Sequence, residues 1–339
     1  MSHGRFNNPL VAALAGFKDL FRKQEFADRL TDDDRFDNKT CLVTGANSGL
    51  GFAVAVDMAK RGAKVICTCR RLQEETLQKV KALSGSENVE VRTLDLSRLD
   101  SIHAFINGME KDKVSLDSII LNAGVALPKA RKTDSGQEEM FMVNYLSNVM
   151  LCTLLLNHKI VSRNNDSTEP KARFLFISSD SHQGSSFIDY DEFGKYIDYG
   201  VNKGISHYSY YKLILNTYAT ELSRRLNKDG DEVDVGVNVI CPGPVHSGII
   251  KEAPFLLRKV LGAIFWVIFR SPKKAALPVV YMSISPDYEG RTNAYQHMFK
   301  HKEMDEKVYL PEEGKKLWGK SYELWDSIDP EAEILSPKL

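Results

Sequence analysis

Thr40-Cys41-Leu42-Val43-Thr44-Gly45-Ala46-Asn47-Ser48-Gly49-Leu50-Gly51 is a short apolar run that passes into a glycine-rich turn. The run, Thr40 to Thr44, reads as a strand, and Phe52 to Arg61 beyond the turn reads as a helix. Gly45, Gly49 and Gly51 permit tight turning and close approach of backbone to a ligand. The helix that begins there points its first amides at an anion. A turn of this kind cradles a dinucleotide pyrophosphate, and Asn47, Ser48 and Leu50 lie within it.

Outward from this unit the pattern repeats. Lys64 to Cys69, Val89 to Leu94, Ser118 to Leu121, Arg173 to Ser178 and Val233 to Ile240 read as further strands. Met140 to Leu156 is a long apolar helix, and Ser209 to Arg225 is another. Alternation of strand and helix predicts an α/β fold: a doubly wound, Rossmann-type parallel sheet covered on both faces. One domain is expected, over residues 37–300. A helical leader (1–36) precedes it, and a helical tail (301–339) packs on it. The polar stretch Ser162 to Lys171 reads as a surface loop.

Composition narrows the class. The 339 residues are 43% hydrophobic and 27% charged, with 45 basic against 45 acidic side chains. This is ordinary globular composition with no basic footprint for nucleic acid. Cys41, Cys67, Cys69, Cys152 and Cys241 all sit in apolar stretches and read as reduced core residues of an intracellular protein. Cys67 and Cys69 lack a second ligand pair, so no metal site is expected. No apolar run reaches the roughly 18 residues expected of a spanning helix. A cytoplasmic location is expected, with a membrane surface as an added site of contact. The leader carries Leu10, Leu14, Phe17, Leu20 and Phe21 at helical spacing, with Lys18, Arg22 and Lys23 interleaved. It reads as an amphipathic helix that packs on the domain or lies on a membrane. The very apolar segment 255–270 reads as a buried helix or as a substrate lid that also touches lipid.

Tyr208 and Lys212 stand four residues apart and share a helix face. An ammonium beside a phenol favours the phenolate, which predicts a lowered tyrosine pKa and a proton donor or acceptor near neutrality. With the glycine turn, this pair points to redox exchange between a nicotinamide and a carbonyl or alcohol. Strand two ends in Cys69-Arg70-Arg71 with no carboxylate. An acidic residue there would bond a ribose 2′-hydroxyl, whereas arginine clamps a 2′-phosphate. NADP(H) is therefore favoured over NAD(H). Asn144 in the apolar helix is a buried amide that needs partners.

The ordered set of the glycine turn, Leu121-Asn122-Ala123-Gly124, Val143-Asn144, Ile177-Ser178-Ser179, Tyr208-Ser209-Tyr210-Tyr211-Lys212 and Pro242-Gly243-Pro244-Val245 resembles the short-chain dehydrogenase/reductase superfamily. The closest likeness is to its retinol-dehydrogenase-like branch, over roughly Phe36 to Trp325. The resemblance implies that Ser179 holds the substrate oxygen, Tyr208 passes a proton to or from it, and Lys212 tunes Tyr208 and binds the nicotinamide ribose. It implies that Asn144 holds a water linking Lys212 to solvent. It places Asp95 and Leu96 near the adenine and Asn122, Ala123 and Gly124 along the ribose. Pro242, Gly243, Val245 and Ser247 are placed at the nicotinamide end.

Two departures stand out. Tyr211 occupies the place where serine is usual before the lysine, and Ser247 a place where threonine is common. An aromatic insert, Phe187 to Phe193 with Tyr196, is expected beside the substrate mouth. The implied activity is carbonyl–alcohol interconversion on a lipophilic substrate: a retinoid-like aldehyde, a steroid, a fatty aldehyde or a polyketide ketone. The alternative is a catalytically silent NADP-binding regulator or scaffold. A homodimer through the two long helices is the oligomer the resemblance implies.

Overall fold

The computed structural model describes residues 30–161, 172–227, 232–243, 245 and 271–334. Most of the leader, the 162–171 loop, Ser247 and the 255–270 segment lie outside the described residues.

The first unit forms as its sequence dictates. Strand β1 (Thr40–Thr44) feeds the glycine turn, and helix α1 spans Gly49–Lys60. Then follow β2 (Lys64–Cys69), α2 (Gln73–Ser84), β3 (Val89–Thr93), α3 (Leu99–Lys111) and β4 (Ser118–Leu121). The second half carries the long helix α4 (Glu139–Asn157), β5 (Arg173–Ile177), α5 (Val201–Leu226), β6 (Gly236–Cys241) and α6 (Pro272–Ile284). Short strands β7 (Tyr295–His297) and β8 (Lys300–His301) and helix α7 (Pro311–Ile328) complete it.

The strand order is β3-β2-β1-β4-β5-β6-β7-β8. Every pairing is parallel except β7 with β8. The chain winds outward from β1 to β3, then restarts on the other side of β1 with β4. That reversal opens a crevice at the carboxyl ends of β1 and β4. Side chains alternate between two cores. Leu42, Ile66, Phe174 and Phe176 join the core under α4 and α5, while Cys41, Val43, Val65, Cys67 and Leu175 join the core under α1 and α6. Strands buried on both faces read as continuous apolar runs, which is why β1, β2 and β4 were legible to the residue.

Helix α4 corrects one expectation. It is long and apolar enough by composition to cross a membrane, yet nearly all of it is buried inside the fold. It is a core helix, and its apolarity answers to the sheet beneath it and the helices around it.

Tail helix α7 is built into the same core. Trp325 is fully buried, and the Trp318 ring stacks on Tyr218 at 5.5 Å. The Tyr145 hydroxyl meets Ser321 Oγ at 2.6 Å, and Thr153 meets the Tyr322 hydroxyl. The tail thus covers parts of both α4 and α5, and a dimer formed over those parts would compete with it. The aromatic insert is divided. Phe193 is partly buried and packs edge-on against Phe141 of the core at 5.4 Å, while Phe187 and Tyr196 are exposed.

Candidate active site

A crevice of about 770 Å³ runs along the carboxyl ends of β1 to β4. Gly45, Asn47, Ser48, Arg70, Asp95, Leu96, Asn122, Ala123 and Gly124 all line it, brought together from four strand ends. Gly45 and Gly49 take positive φ, +67° and +60°, a backbone region that suits glycine. A Cβ on Gly51 would come within 2.6 Å of the Gly45 carbonyl oxygen and 2.4 Å of Asn122 Nδ2. The glycine at 51 therefore lets the turn pack directly against Asn122 at the end of β4. Leu50 is placed differently: it is buried in the core behind the turn.

Asn122 is engaged by the turn itself. Its Nδ2 donates to the Thr44 carbonyl at 2.8 Å, and its own N–H donates to Thr44 Oγ1 at 2.9 Å. Thr44 Oγ1 also accepts the Ala123 N–H at 2.9 Å. Thr44 locks β1 to β4 at the switch point, a role that nothing in the sequence pattern signals beyond its place before Gly45. Asp95 caps its own turn, with Oδ1 accepting from the Ser97 N–H at 3.0 Å and the Ser97 hydroxyl at 2.6 Å.

The crevice wall is rich in cations. Arg70, Arg71, Arg98, Arg131 and Lys132 line it. Glu139 holds two of them: Arg131 at 2.7 Å and Arg70 at 3.6 Å. Arg98, Arg131, Lys132 and Glu139 lie in loops and a helix start that carried no motif.

One strand further along stand the groups read as catalytic. Ser179 follows β5 and opens a short helical turn, Asp180–Gly184, its Oγ accepting the Ser181 N–H at 3.2 Å. Tyr208 and Lys212 lie on α5. Lys212 is buried, donates to the Ile177 carbonyl at 2.8 Å, and sits 5.6 Å from the centre of the Tyr208 ring. The helix thus delivers its amine to the strand end that carries Ser179.

The electrostatics reverse the expected direction for the phenol. Burial, with a smaller contribution from Cys241, holds the Tyr208 hydroxyl well above its ordinary range. Burial also pushes the Lys212 ammonium down to about 8. Lys212 Nζ donates to the Ile177 carbonyl and stands over the ring, and desolvation is the dominant influence on the phenol.

Asn144 sits in a π-helical turn of α4, Met142–Leu146. Its Oδ1 accepts from the Val125 N–H at 2.7 Å and its Nδ2 donates to the Val125 carbonyl at 2.8 Å. The side chain is thus a two-point clamp on the loop after β4. Tyr211 packs into an aromatic cluster, 5.7 Å from Phe141. Pro242 is buried, Gly243 takes φ +79°, and Val245 packs against the core under α1 and α6.

The short chain dehydrogenase family matches residues 39–186. Human retinol dehydrogenase 14 is 32% identical over 297 residues, covering 83% of this chain and 84% of its own. Human polyprenol dehydrogenase is 29% identical over 297 residues, covering 86% of each. In fold the chain is similar to a Pseudomonas aeruginosa RhlG complex with NADP in the active site. That match has a TM-score of 0.59 and 21% identity, and covers 79% of this chain and 98% of that one. The chain belongs to the short-chain dehydrogenase family. It is an oxidoreductase of alcohol and carbonyl groups that works with a nicotinamide dinucleotide. Within the family it falls in the retinol-dehydrogenase-like branch.

Proposed function

We propose that this protein is an NADP(H)-dependent carbonyl reductase of a lipophilic substrate, with Asn144, Ser179, Tyr208 and Lys212 as its working residues. The observation that supports the reading is Lys212, whose Nζ donates to the Ile177 carbonyl, two residues before Ser179, and stands 5.6 Å from the centre of the Tyr208 ring. Residues Gly45 to Gly51, Arg70, Asn122 to Gly124 and the Pro242–Ser247 stretch would hold the dinucleotide. The glycine turn, with Gly45, Asn47 and Ser48 on the crevice at the start of α1, suits its pyrophosphate. When bound, the nicotinamide supplies or accepts the hydride.

The protein residues do the rest. Ser179 holds the substrate oxygen and stabilises charge that grows on it. Tyr208 gives that oxygen its proton in the reducing direction. Burial keeps the phenol neutral, so it carries the proton that this step needs. Lys212 and Asn144 fix the frame: one ties α5 to β5, the other ties α4 to the loop after β4.

Preference for NADP(H) rests on Arg70 and Arg71, exposed at the crevice where a carboxylate would otherwise refuse a 2′-phosphate. A lipophilic substrate fits the relatives named for retinol and polyprenol. The amphipathic leader and the apolar 255–270 segment are the proposed contacts with a membrane surface. Purified protein should oxidise NADPH in preference to NADH when offered all-trans-retinal or a medium-chain fatty aldehyde. Coenzyme binding without turnover across a panel of such carbonyls and steroid ketones would favour the scaffold reading.

A further inference from the structure

Ser179 is held from behind by a ring that never reaches the crevice. The His182 side chain is fully buried. Its Nδ1 lies 2.7 Å from the Ser179 carbonyl oxygen, and its Nε2 lies 3.2 Å from the Asp305 backbone N. A carbonyl can only accept and a backbone N–H can only donate. The two partners therefore assign the ring: Nδ1 carries the proton and Nε2 is bare. The same Ser179 carbonyl also accepts the His182 backbone N–H at 3.2 Å.

The neighbouring side chain is anchored to the same C-terminal segment. Asp180 is buried, accepts from the Tyr295 hydroxyl and from Lys302 Nζ at 2.5 Å, and lies 3.2 Å from His297 Nδ1. The Tyr295 ring meets His182 edge-on at 5.6 Å. Asp305 is itself buried and paired with Lys307 Nζ at 3.0 Å. The hairpin of β7 and β8 and the turn after it thus grip the peptide that follows the serine.

We propose that His182, as the neutral Nδ1–H tautomer bridging Asp305 to the Ser179 carbonyl, is a positioning residue that fixes where the Ser179 hydroxyl meets the substrate. The proposal rests on the reading of Ser179 as catalytic. Rotation of the 179–180 peptide would swing the serine, and two donors on one carbonyl oppose that rotation. The buried ring does not line the crevice, and its route to the site is through Ser179.

The test is a cycle of variants in the full-length enzyme, assayed with all-trans-retinal and NADPH. His182→Ala should lower kcat about ten- to hundredfold, the scale on which small misplacements act, while NADPH binding holds. His182→Asn, whose amide returns an N–H to the Nδ1 position, should recover most of the loss. In a Ser179→Ala background, His182→Ala should cost nothing more. An equal loss in both backgrounds would reduce His182 to general structural support and overturn the proposal. Unchanged turnover in Ser179→Ala would instead remove the catalytic reading of Ser179. If His182→Ala does not fold, the asparagine variant and ¹⁵N shifts of the wild-type ring decide. An Nε2–H tautomer or a protonated ring at pH 7 contradicts the bridge.

Discussion

Gly51 and Asn122 share one small volume. The α-carbon of the glycine faces the asparagine amide so closely that a Cβ would stand 2.4 Å from Nδ2. Asn122 cannot retreat cheaply, because that same nitrogen donates to the Thr44 carbonyl. The coenzyme turn and the end of β4 are therefore one packed unit. Gly51→Ala should destabilise the fold by about 1–3 kcal/mol through overpacking. It should also weaken dinucleotide binding. Urea unfolding and NADPH fluorescence titration check the two effects.

The coenzyme preference is carried by charge. Arg70 is braced by Glu139 at 3.6 Å, and both Arg70 and Arg71 are exposed at the crevice. Replacing Arg70 and Arg71 together by alanine should raise the KM for NADPH about 10- to 100-fold, the loss of one or two charge-assisted bonds. The KM for NADH should stay nearly unchanged. Steady-state kinetics with both coenzymes reads the ratio, and an equal rise for both would deny a 2′-phosphate contact.

Lys212 gives a stability effect with a definite sign. Its folded pKa, about 8, lies below its ordinary 10.5. Between these values the unfolded chain holds a proton that the folded chain has released. Stability contributed by this group therefore rises with pH across that window and is constant below it. Buried thiols and phenols with raised pKa act oppositely at high pH, so the comparison must be made as a difference. Unfolding of the coenzyme-free wild type and of Lys212→Met, from pH 7 to 10.5, should give a difference that shifts towards the wild type above pH 8. A flat difference would contradict the burial of the amine.

The tail helix α7 belongs to the core, and Trp325 is its deepest residue. Trp325→Ala should cost about 3–5 kcal/mol. A loss that large is a sizeable part of a domain's stability. Chemical denaturation measures it, and a loss under about 1 kcal/mol would mean that the tail merely rests on the surface.

The sequence was most readable where burial is two-sided. Strands β1, β2 and β4 are unbroken apolar runs between glycines and charges, and their limits match the fold. Helix α2 was not read, because only Thr76 and Val80 of its twelve residues are buried and no apolar stripe marks it. Strand β7 is three residues long and shows no period. In the candidate site, glycines, arginines and the Tyr208–Lys212 spacing carry their chemistry in their type. His182 does not, since its partners are backbone atoms, one of them 123 residues away. The direction of the Tyr208 shift was hidden for a related reason: spacing places the amine on the right face but says nothing of where its hydrogen bond goes.

The central claim is that the Tyr208 hydroxyl transfers the proton. The direct measurement is NADPH oxidation with all-trans-retinal by Tyr208→Phe, alongside NADPH binding by the same variant. The account predicts binding within about threefold of wild type and turnover lowered by at least about a hundredfold, the scale of lost general acid catalysis. Full turnover in the phenylalanine variant would contradict it.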